Sequence, residues 1–385
     1  MGRIRIKGTR RYFKIMTREQ PIRVAQIMGK LWAGGVESVV FNYYRAIDKN
    51  KFQFDFYYDA DSTVEPPKEL IDLGARFIKV PAYQNVFQYM KALHDSFEQN
   101  KYQIVHSHIN TLSVIPLLVA KKCGVPIRIQ HNHSVPAGKE YGRNILKNVL
   151  RLFSKTFSTQ YFACSEKAGR WMFGSKTFDE GKVFIMKNAI DFSRYIISEN
   201  EKKQVMNKLN LQNSFIVGHV GRFTFAKNHE FILRIFKSVL KRRPNAKLLL
   251  VGDGELRKDI EKKITELNLV DKVIIVGKVP NPEKYYAVMD VLVLPSIFEG
   301  LSMTTVEAQA SRKHIIISEA VPKEAIISDF CRYESLEASP EVWAHDAVDS
   351  VSQIDIHFNK QKNEYDIRKA VIKLEEEYCK LIFHR

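Results

Sequence analysis

"DVLVLPSIFEGLSMTTVEAQA", residues 290–310, opens on an apolar run that reads as a fully buried strand. Pro295 stops it, and Met303, Val306 and Ala310 then recur at the spacing of one helix face. A strand leading through a short loop into a helix is the repeating unit of a parallel sheet covered by helices. The same alternation runs outward in both directions, from residue 21 to about 330. In the second half it predicts strands at 214–221, 246–254, 272–277, 290–296 and 314–318, separated by helices such as "NHEFILRIFKSVLKRR" and "LRKDIEKKITELN". In the first half it predicts strands at 22–28, 52–58, 75–80, 103–108, 127–133, 160–165 and 182–188, with helices such as "VFQYMKALHDSFEQN" and "NILKNVLRLFSK". The fold class is α/β, with two doubly wound Rossmann-like domains. A charged stretch near 191–212 reads as the linker. The expected domains are 21–195 and 196–364, with the amphipathic C-terminal segment 365–385 returning to the first. Ligands of open α/β sheets bind beyond the carboxyl ends of the strands, so a cleft between two such domains is where function is expected.

The length of 385 residues suits two cores, and 45% hydrophobic residues can fill them. The apolar stretch "SVIPLLVA" (113–120) ends at Lys121 and Lys122, well short of the ~18–20 residues that cross a bilayer. Cys123, Cys164, Cys331 and Cys379 lie far apart without CxxC spacing, which argues against a disulfide framework and fits a reducing cytoplasm. A net charge of +17 favours a polyanionic partner: nucleic acid, an anionic membrane face or a phosphorylated substrate. Residues 1–20 carry seven Arg/Lys against one Glu and read as a basic tail outside the folded part, with Met16 an alternative start and an interfacial anchor the other reading.

The chemistry gathers at the strand ends of the second half. "GRFTFAKNHEFIL" follows the strand at 214–221, and there Arg222 and Lys227 precede a helix that begins near Asn228. Two cations beside a positive helix end suit a diphosphate. "VGDGE" (251–255) offers Gly252 and Gly254 at a tight turn where backbone amides can approach a nucleotide, although the same pattern also punctuates strands, and no P-loop lysine follows. Glu299 falls in the loop after the strand at 290–296 and Glu307 in the helix beyond. Two carboxylates so placed are an acid/base pair, metal ligands or acceptors for hydroxyl pairs. The amides of Gly300, Leu301 and Ser302 form an anion seat between them. Hydroxyl groups flanking a phosphate describe a nucleotide sugar.

In order and spacing, "GGVE" (34–37), "GRFTFAKNHEFIL", "LLLVGDGEL", "VIIVGKV" and "DVLVLPSIFEGLSMTTVEAQA" resemble the retaining glycosyltransferases of family 4, of the two-domain GT-B type, and most of all their bacterial exopolysaccharide and capsule branch. The resemblance implies that Glu299 holds hydroxyls of the donor sugar, Glu307 the ribose diol, and Arg222 and Lys227 the diphosphate. Backbone amides at Gly300, Leu301, Ser302, Gly34 and Gly35 would complete the phosphate cradle, and Val279 in "GKVPNPEKYY" would touch the base. None of these roles needs a metal or other cofactor; the nucleoside diphosphate sugar, a UDP-sugar foremost, is a substrate. The resemblance also implies a histidine that contacts the transferred sugar after the strand "IRIQ", and His131 matches that place better than His133. The chain departs from the family at "SRKHIIIS" (311–318), where small residues and Gly-x-Pro are usual.

His106 with His108, and His131 with His133, each at i and i+2, could also bind a metal, though no nearby carboxylate or cysteine completes a set. "DAD" (59–61) imitates a metal-binding DxD but reads as a polar loop. The expectation is thus a cytoplasmic, metal-independent hexosyltransferase. It moves a sugar to a glycan or polyprenyl-diphosphate-linked acceptor, touches the inner membrane face peripherally, and binds no nucleic acid. The rival readings are a sugar-nucleotide epimerase on the same fold, a basic nucleic-acid-binding protein, and a degenerate, non-catalytic relative.

Overall fold

The computed structural model describes residues 20–32, 34–134, 141–279, 281–349, 357–359 and 361–383, with backbone alone over 141–146. The basic tail, apart from Gln20, lies outside the described residues. Two compact units divide the chain: residues 1–189 with 367–385, and residues 190–366.

In the first unit, β1 (Ile22–Gly29), β2 (Phe52–Asp59), β3 (Arg76–Val80), β4 (Ile104–Ser107), β5 (Ile127–Asn132), β6 (Gln160–Ala163) and β7 (Val183–Ile185) form one sheet in the order β3-β2-β1-β4-β5-β6-β7. All neighbouring pairs are parallel. Every residue of β2 is buried, as a sheet covered on both faces requires. The charge this buries, Asp55, accepts hydrogen bonds from Arg23 Nε at 2.7 Å, Arg76 Nε at 2.9 Å and Tyr102 Oη at 2.6 Å. Burial alone would raise its carboxyl, but these donors outweigh burial and hold it below the usual range. The C-terminal helix Ile367–Phe383 belongs to this unit. It inserts Leu374 and Tyr378 into the core beside Phe52 and Phe54.

In the second unit, β8 (Ile216–Val220), β9 (Lys247–Val251), β10 (Val273–Gly277), β11 (Val291–Leu294), β12 (His314–Ile317) and β13 (Cys331–Tyr333) follow the order β10-β9-β8-β11-β12-β13, again all parallel. In both units the winding reverses beside the first strand, at β1/β4 and at β8/β11. The loops leaving that pair of strands diverge onto opposite faces, and this opens the crevice where such sheets take ligands.

The expected linker at 191–212 is corrected by the structure. It holds a 3-10 turn, Phe192–Tyr195, and a helix, Glu199–Lys208, both inside the second unit; the chain crosses between units at Ala189–Ile190 and again at Asp366–Ile367. The helix begins in a capping box between Ser198 and Glu201, and none of its residues is fully buried. A surface helix whose apolar residues Val205 and Met206 pack only partly buried against the core carries the composition of a linker. Strand β13, three residues long and only half-buried, escaped the sequence pattern for the same kind of reason.

Candidate active site

The loop leaving β8 crosses the loop leaving β9 backbone to backbone. Gly221 N donates to Val251 O at 3.0 Å and Phe223 N to Asp253 O at 3.0 Å. At Gly252, where φ is +144°, a Cβ would stand 1.9 Å from Gly221 O. The Gly252 amide itself donates to Gly277 O at 2.9 Å. Gly252 therefore answers to this crossing, and its amide is engaged in the sheet rather than offered to a phosphate as the sequence suggested. Beyond the crossing, Arg222 stands half-exposed, 3.4 Å from the Glu255 carboxylate. The chain then makes a 3-10 turn, Phe225–Lys227, and enters the helix His229–Arg242 through Asn228 in the left-handed region.

The segment leaving β11 is tied to the end of β8 and its loop at three points. Ile297 N donates to Ala226 O at 2.8 Å, Thr304 Oγ1 to Val220 O at 3.2 Å, and Lys227 Nζ to Glu299 Oε1 at 2.5 Å. Ser296 Oγ donates to the same Glu299 oxygen at 2.8 Å. The side chains of Lys227 and Glu299 keep only 16% and 9% of their surface exposed, so their charges attract with little solvent screening. Ser302 opens the helix Met303–Ala310, and the space around Gly300 is open: a Cβ there would meet nothing within 4 Å. The expected anion seat at Gly300, Leu301 and Ser302 thus lies one loop from a fixed ammonium.

Glu307 sits farther along that helix. Tyr286 Oη donates to its Oε2 at 2.8 Å, and the Tyr195 hydroxyl also bonds its carboxyl. Behind the tyrosines, Arg194 pairs with buried Glu283 at 2.9 Å, and Val279 packs against the same cluster. Burial pushes the Glu307 carboxyl up to about 7, with the two hydroxyls and Arg194 offsetting only part and Glu283 adding to the rise. The native state therefore binds more protons than the unfolded chain between the ordinary glutamate value and about 7, and stability contributed here falls as pH rises through that window. Relative to Glu307→Gln, the wild-type melting temperature should drop between pH 5 and pH 7.5, with a slope of at most about 1.4 kcal/mol per pH unit. Parallel curves for the two proteins would show that the carboxyl is not perturbed. Tyr195, Tyr286 and Ser296 were not singled out from sequence. Tyr195 lay in the supposed linker, and only tertiary packing brings it to Glu307.

In the first unit, Glu37 accepts from Trp32 N at 2.8 Å and Gly34 N at 2.9 Å, which folds the loop before the helix Gly35–Ala46. A Cβ at Gly34 would stand 2.8 Å from Trp32 Nε1, whereas Gly35 faces open space. At the ends of β4 and β5, the four histidines stack: His106 on His108 at 4.2 Å between ring centroids and His131 on His133 at 3.9 Å. His131 is 0% exposed, so a direct sugar contact, as the sequence assigned it, is not available in this structure. It is the last position of β5 on the face of Ile127 and Ile129, and the i+2 spacing puts half-buried His133 above it beyond the strand end. His106, His108 and His131 bring ring nitrogens within 4.8 Å of one another, close enough to consider a metal. All of these nitrogens except His131 Nε2 are already hydrogen-bonded, to each other and to Tyr378, Gln26 and His133, and among the described residues no carboxylate or cysteine joins the group. In "DAD", Asp59 is the buried end of β2, its carboxyl pushed up to about 6 by burial and by the charge of Asp61, and Asp61 pairs with Lys30 at 3.1 Å at the surface.

Two family profiles match in sequence order: Glycosyltransferase Family 4 over residues 33–194 and Glycosyl transferases group 1 over residues 201–341. EpsF of Bacillus subtilis (strain 168), named as a glycosyltransferase, is 30% identical over 308 residues, spanning 78% of this chain and 80% of that protein. The chain belongs to glycosyltransferase family 4. The capsular polysaccharide biosynthesis glycosyltransferase CapH of Staphylococcus aureus is 27% identical over 369 residues, 93% of this chain and 98% of its own. A UDP-Gal:α-D-GlcNAc-diphosphoundecaprenol α-1,3-galactosyltransferase of Escherichia coli is 23% identical over 77% of this chain and 79% of its own. Among solved structures, HepE of Anabaena in complex with UDP and glucose superimposes with a TM-score of 0.73 at 15% identity, over 94% of this chain and 99% of that one. That likeness shows the GT-B fold.

At Ser311–His314, where the sequence suggests a departure from the family pattern, the transferase makes a tight turn from helix to strand. Arg312 takes the left-handed φ of +55° that ends the helix Met303–Ala310, a conformation glycine adopts without strain. Lys313 turns back to donate to Ala287 O at 3.0 Å, and His314 opens β12 against Phe330. Among the described residues, no helix of the transferase is long and apolar enough to cross a membrane.

Proposed function

We propose that this transferase moves a sugar from a nucleoside diphosphate donor, UDP-linked foremost, to a hydroxyl of a polyprenyl-diphosphate-linked acceptor with retention of anomeric configuration. The observation that carries the reading is the Lys227–Glu299 pair beside the N-terminus of helix Met303–Ala310, with Glu307 one to two turns beyond. Lys227 and Arg222 neutralise the diphosphate, the amides of Gly300, Leu301 and Ser302 seat a phosphate oxygen, and Glu299 accepts from donor-sugar hydroxyls through Oε2. Glu307, ionised on meeting two hydroxyl donors, takes the ribose diol, and Val279 lies on the side of the base. The acceptor hydroxyl attacks on the face that the leaving diphosphate departs from, and the diphosphate takes its proton. The protein supplies position and charge, without a metal. On the first unit, half-buried His133, stacked on buried His131 at the end of β5, takes the acceptor-side role expected of His131. The lipid-linked acceptor is supported by the name of the Escherichia coli relative, which acts on a diphosphoundecaprenol-linked sugar. The +17 charge supports peripheral contact with an anionic membrane face.

The test is a product analysis. Incubation with UDP-sugars and a short polyprenyl-diphosphate glycan should give an extended glycan whose new linkage keeps the donor's anomeric configuration. An isomerised donor released without acceptor would instead make the protein an epimerase.

A further inference from the structure

Beneath the strand ends of the first unit, six side chains form one unbroken chain of hydrogen bonds. His133 Nε2 meets His108 Nδ1 at 3.0 Å, and His108 Nε2 meets Gln26 Oε1 at 2.7 Å. Gln26 Nε2 donates to Tyr378 Oη at 3.3 Å, Tyr378 Oη meets His106 Nδ1 at 2.8 Å, and His106 Nε2 meets His131 Nδ1 at 3.2 Å. Gln26, His106, His108, His131 and Tyr378 are buried, and among the described residues His131 Nε2 and His133 Nδ1 are the two ends without a partner. Burial keeps all four imidazoles neutral, His133 down at about 3 and the others well below the usual histidine range, so each carries a single proton.

An amide oxygen only accepts and an amide nitrogen only donates, a hydroxyl has one proton to give, and a neutral imidazole donates at one nitrogen and accepts at the other. These rules fix the whole chain once Gln26 is placed. Its oxygen requires the proton of His108 on Nε2, which leaves Nδ1 to accept from His133 Nε2–H. Its nitrogen donates to Tyr378, and His106 Nδ1 is then the acceptor left on this chain for the Tyr378 proton, so that proton goes there and His106 Nε2–H goes to His131 Nδ1. All four histidines are then Nε2–H tautomers: His131 ends in a donor, and His133 in a lone pair. Turning the amide over would reverse every bond and make all four Nδ1–H.

We propose that Gln26 is a positioning residue: through this chain its amide sets the tautomer of the stacked pair His131 and His133, and so decides which of them donates and which accepts at the end of β5. The tautomer claim stands on the hydrogen-bond geometry and on the neutrality of the buried rings; its consequence for turnover rests on the acceptor-side role proposed above.

The test is a two-bond ¹H–¹⁵N spectrum of the full-length protein with ¹⁵N-labelled histidine, the four buried rings being assigned by single replacements. The wild type should show four neutral Nε2–H patterns. In Gln26→Glu, a carboxylate that only accepts draws the Tyr378 proton to itself. His106 and His131 should then invert to Nδ1–H, while His108 and His133 stay Nε2–H, in spectra taken from pH 6 to 9 so that the carboxyl is caught ionised. Mixed tautomers in the wild type, His131 unchanged in Gln26→Glu across that range, or a shift of the four patterns on adding zinc would each overturn the proposal. Should Gln26→Glu fail to fold, the wild-type pattern still decides. If turnover also depends on the pair, kcat of the folded variant falls about ten- to hundredfold, as when an orienting partner one step from a functional imidazole is changed, with donor KM unchanged. Inverted tautomers with unchanged kcat would keep the relay and remove the acceptor-side role.

Discussion

Lys227→Ala should lower kcat/KM by about 10²–10³, or roughly 3–4 kcal/mol of transition-state stabilisation, the size of effect seen when one preorganised charge partner of a leaving group is removed. Two losses add. The diphosphate loses an ammonium held at the strand end with little solvent around it, and Glu299, 9% exposed, loses the cation that balances it. The freed carboxylate keeps its Ser296 bond but now repels the donor phosphates. Arg222→Ala should act in the same direction and less strongly, because Arg222 is half-exposed and its pair with Glu255 is solvent-screened at the surface. Steady-state kinetics on both variants read this out, and wild-type kcat/KM in both would remove the diphosphate site from this loop.

Gly252→Ala should destabilise the second unit by about 3 kcal/mol or more, read as a fall in its unfolding midpoint. The new methyl would overlap Gly221 O, a backbone atom that cannot retreat without breaking the bonds from Gly221 to Val251 and from Phe223 to Asp253. The φ of +144° adds strain for any L side chain. A nucleotide-binding role for the Gly252 amide predicts something different: a variant of normal stability that has lost its ligand. That outcome would restore the sequence-based role of "VGDGE".

The sheets were legible because a strand buried on both faces must be a near-continuous apolar run, and "DVLVLPS" and "HIIIS" can be little else. The site was legible where chemistry sits next to a strand end in sequence: Arg222, Lys227, Glu299 and the amides after it. What lay hidden depends on contacts between distant segments. Tyr195 and Tyr286 reach Glu307 from separate elements, and Gly252 owes its identity to a backbone thirty-one positions earlier. The depth of His131 could not be read from "IQHNH", since an i+2 pair on one face says nothing about which member lies at the surface. Gln26, inside the apolar strand "IRVAQIM", carried the one signal that was passed over: a buried amide needs partners for both of its ends.

The central claim, that the loops after β8 and β11 hold a nucleoside diphosphate, is tested most directly by calorimetric titration of UDP, and then of GDP, ADP and CDP, into the wild type and Lys227→Ala side by side. The account predicts saturable binding of one nucleotide per chain to the wild type, weakened about tenfold or more in the variant. Equal affinity for both proteins, or no saturable binding of any of the four to the wild type, would contradict it.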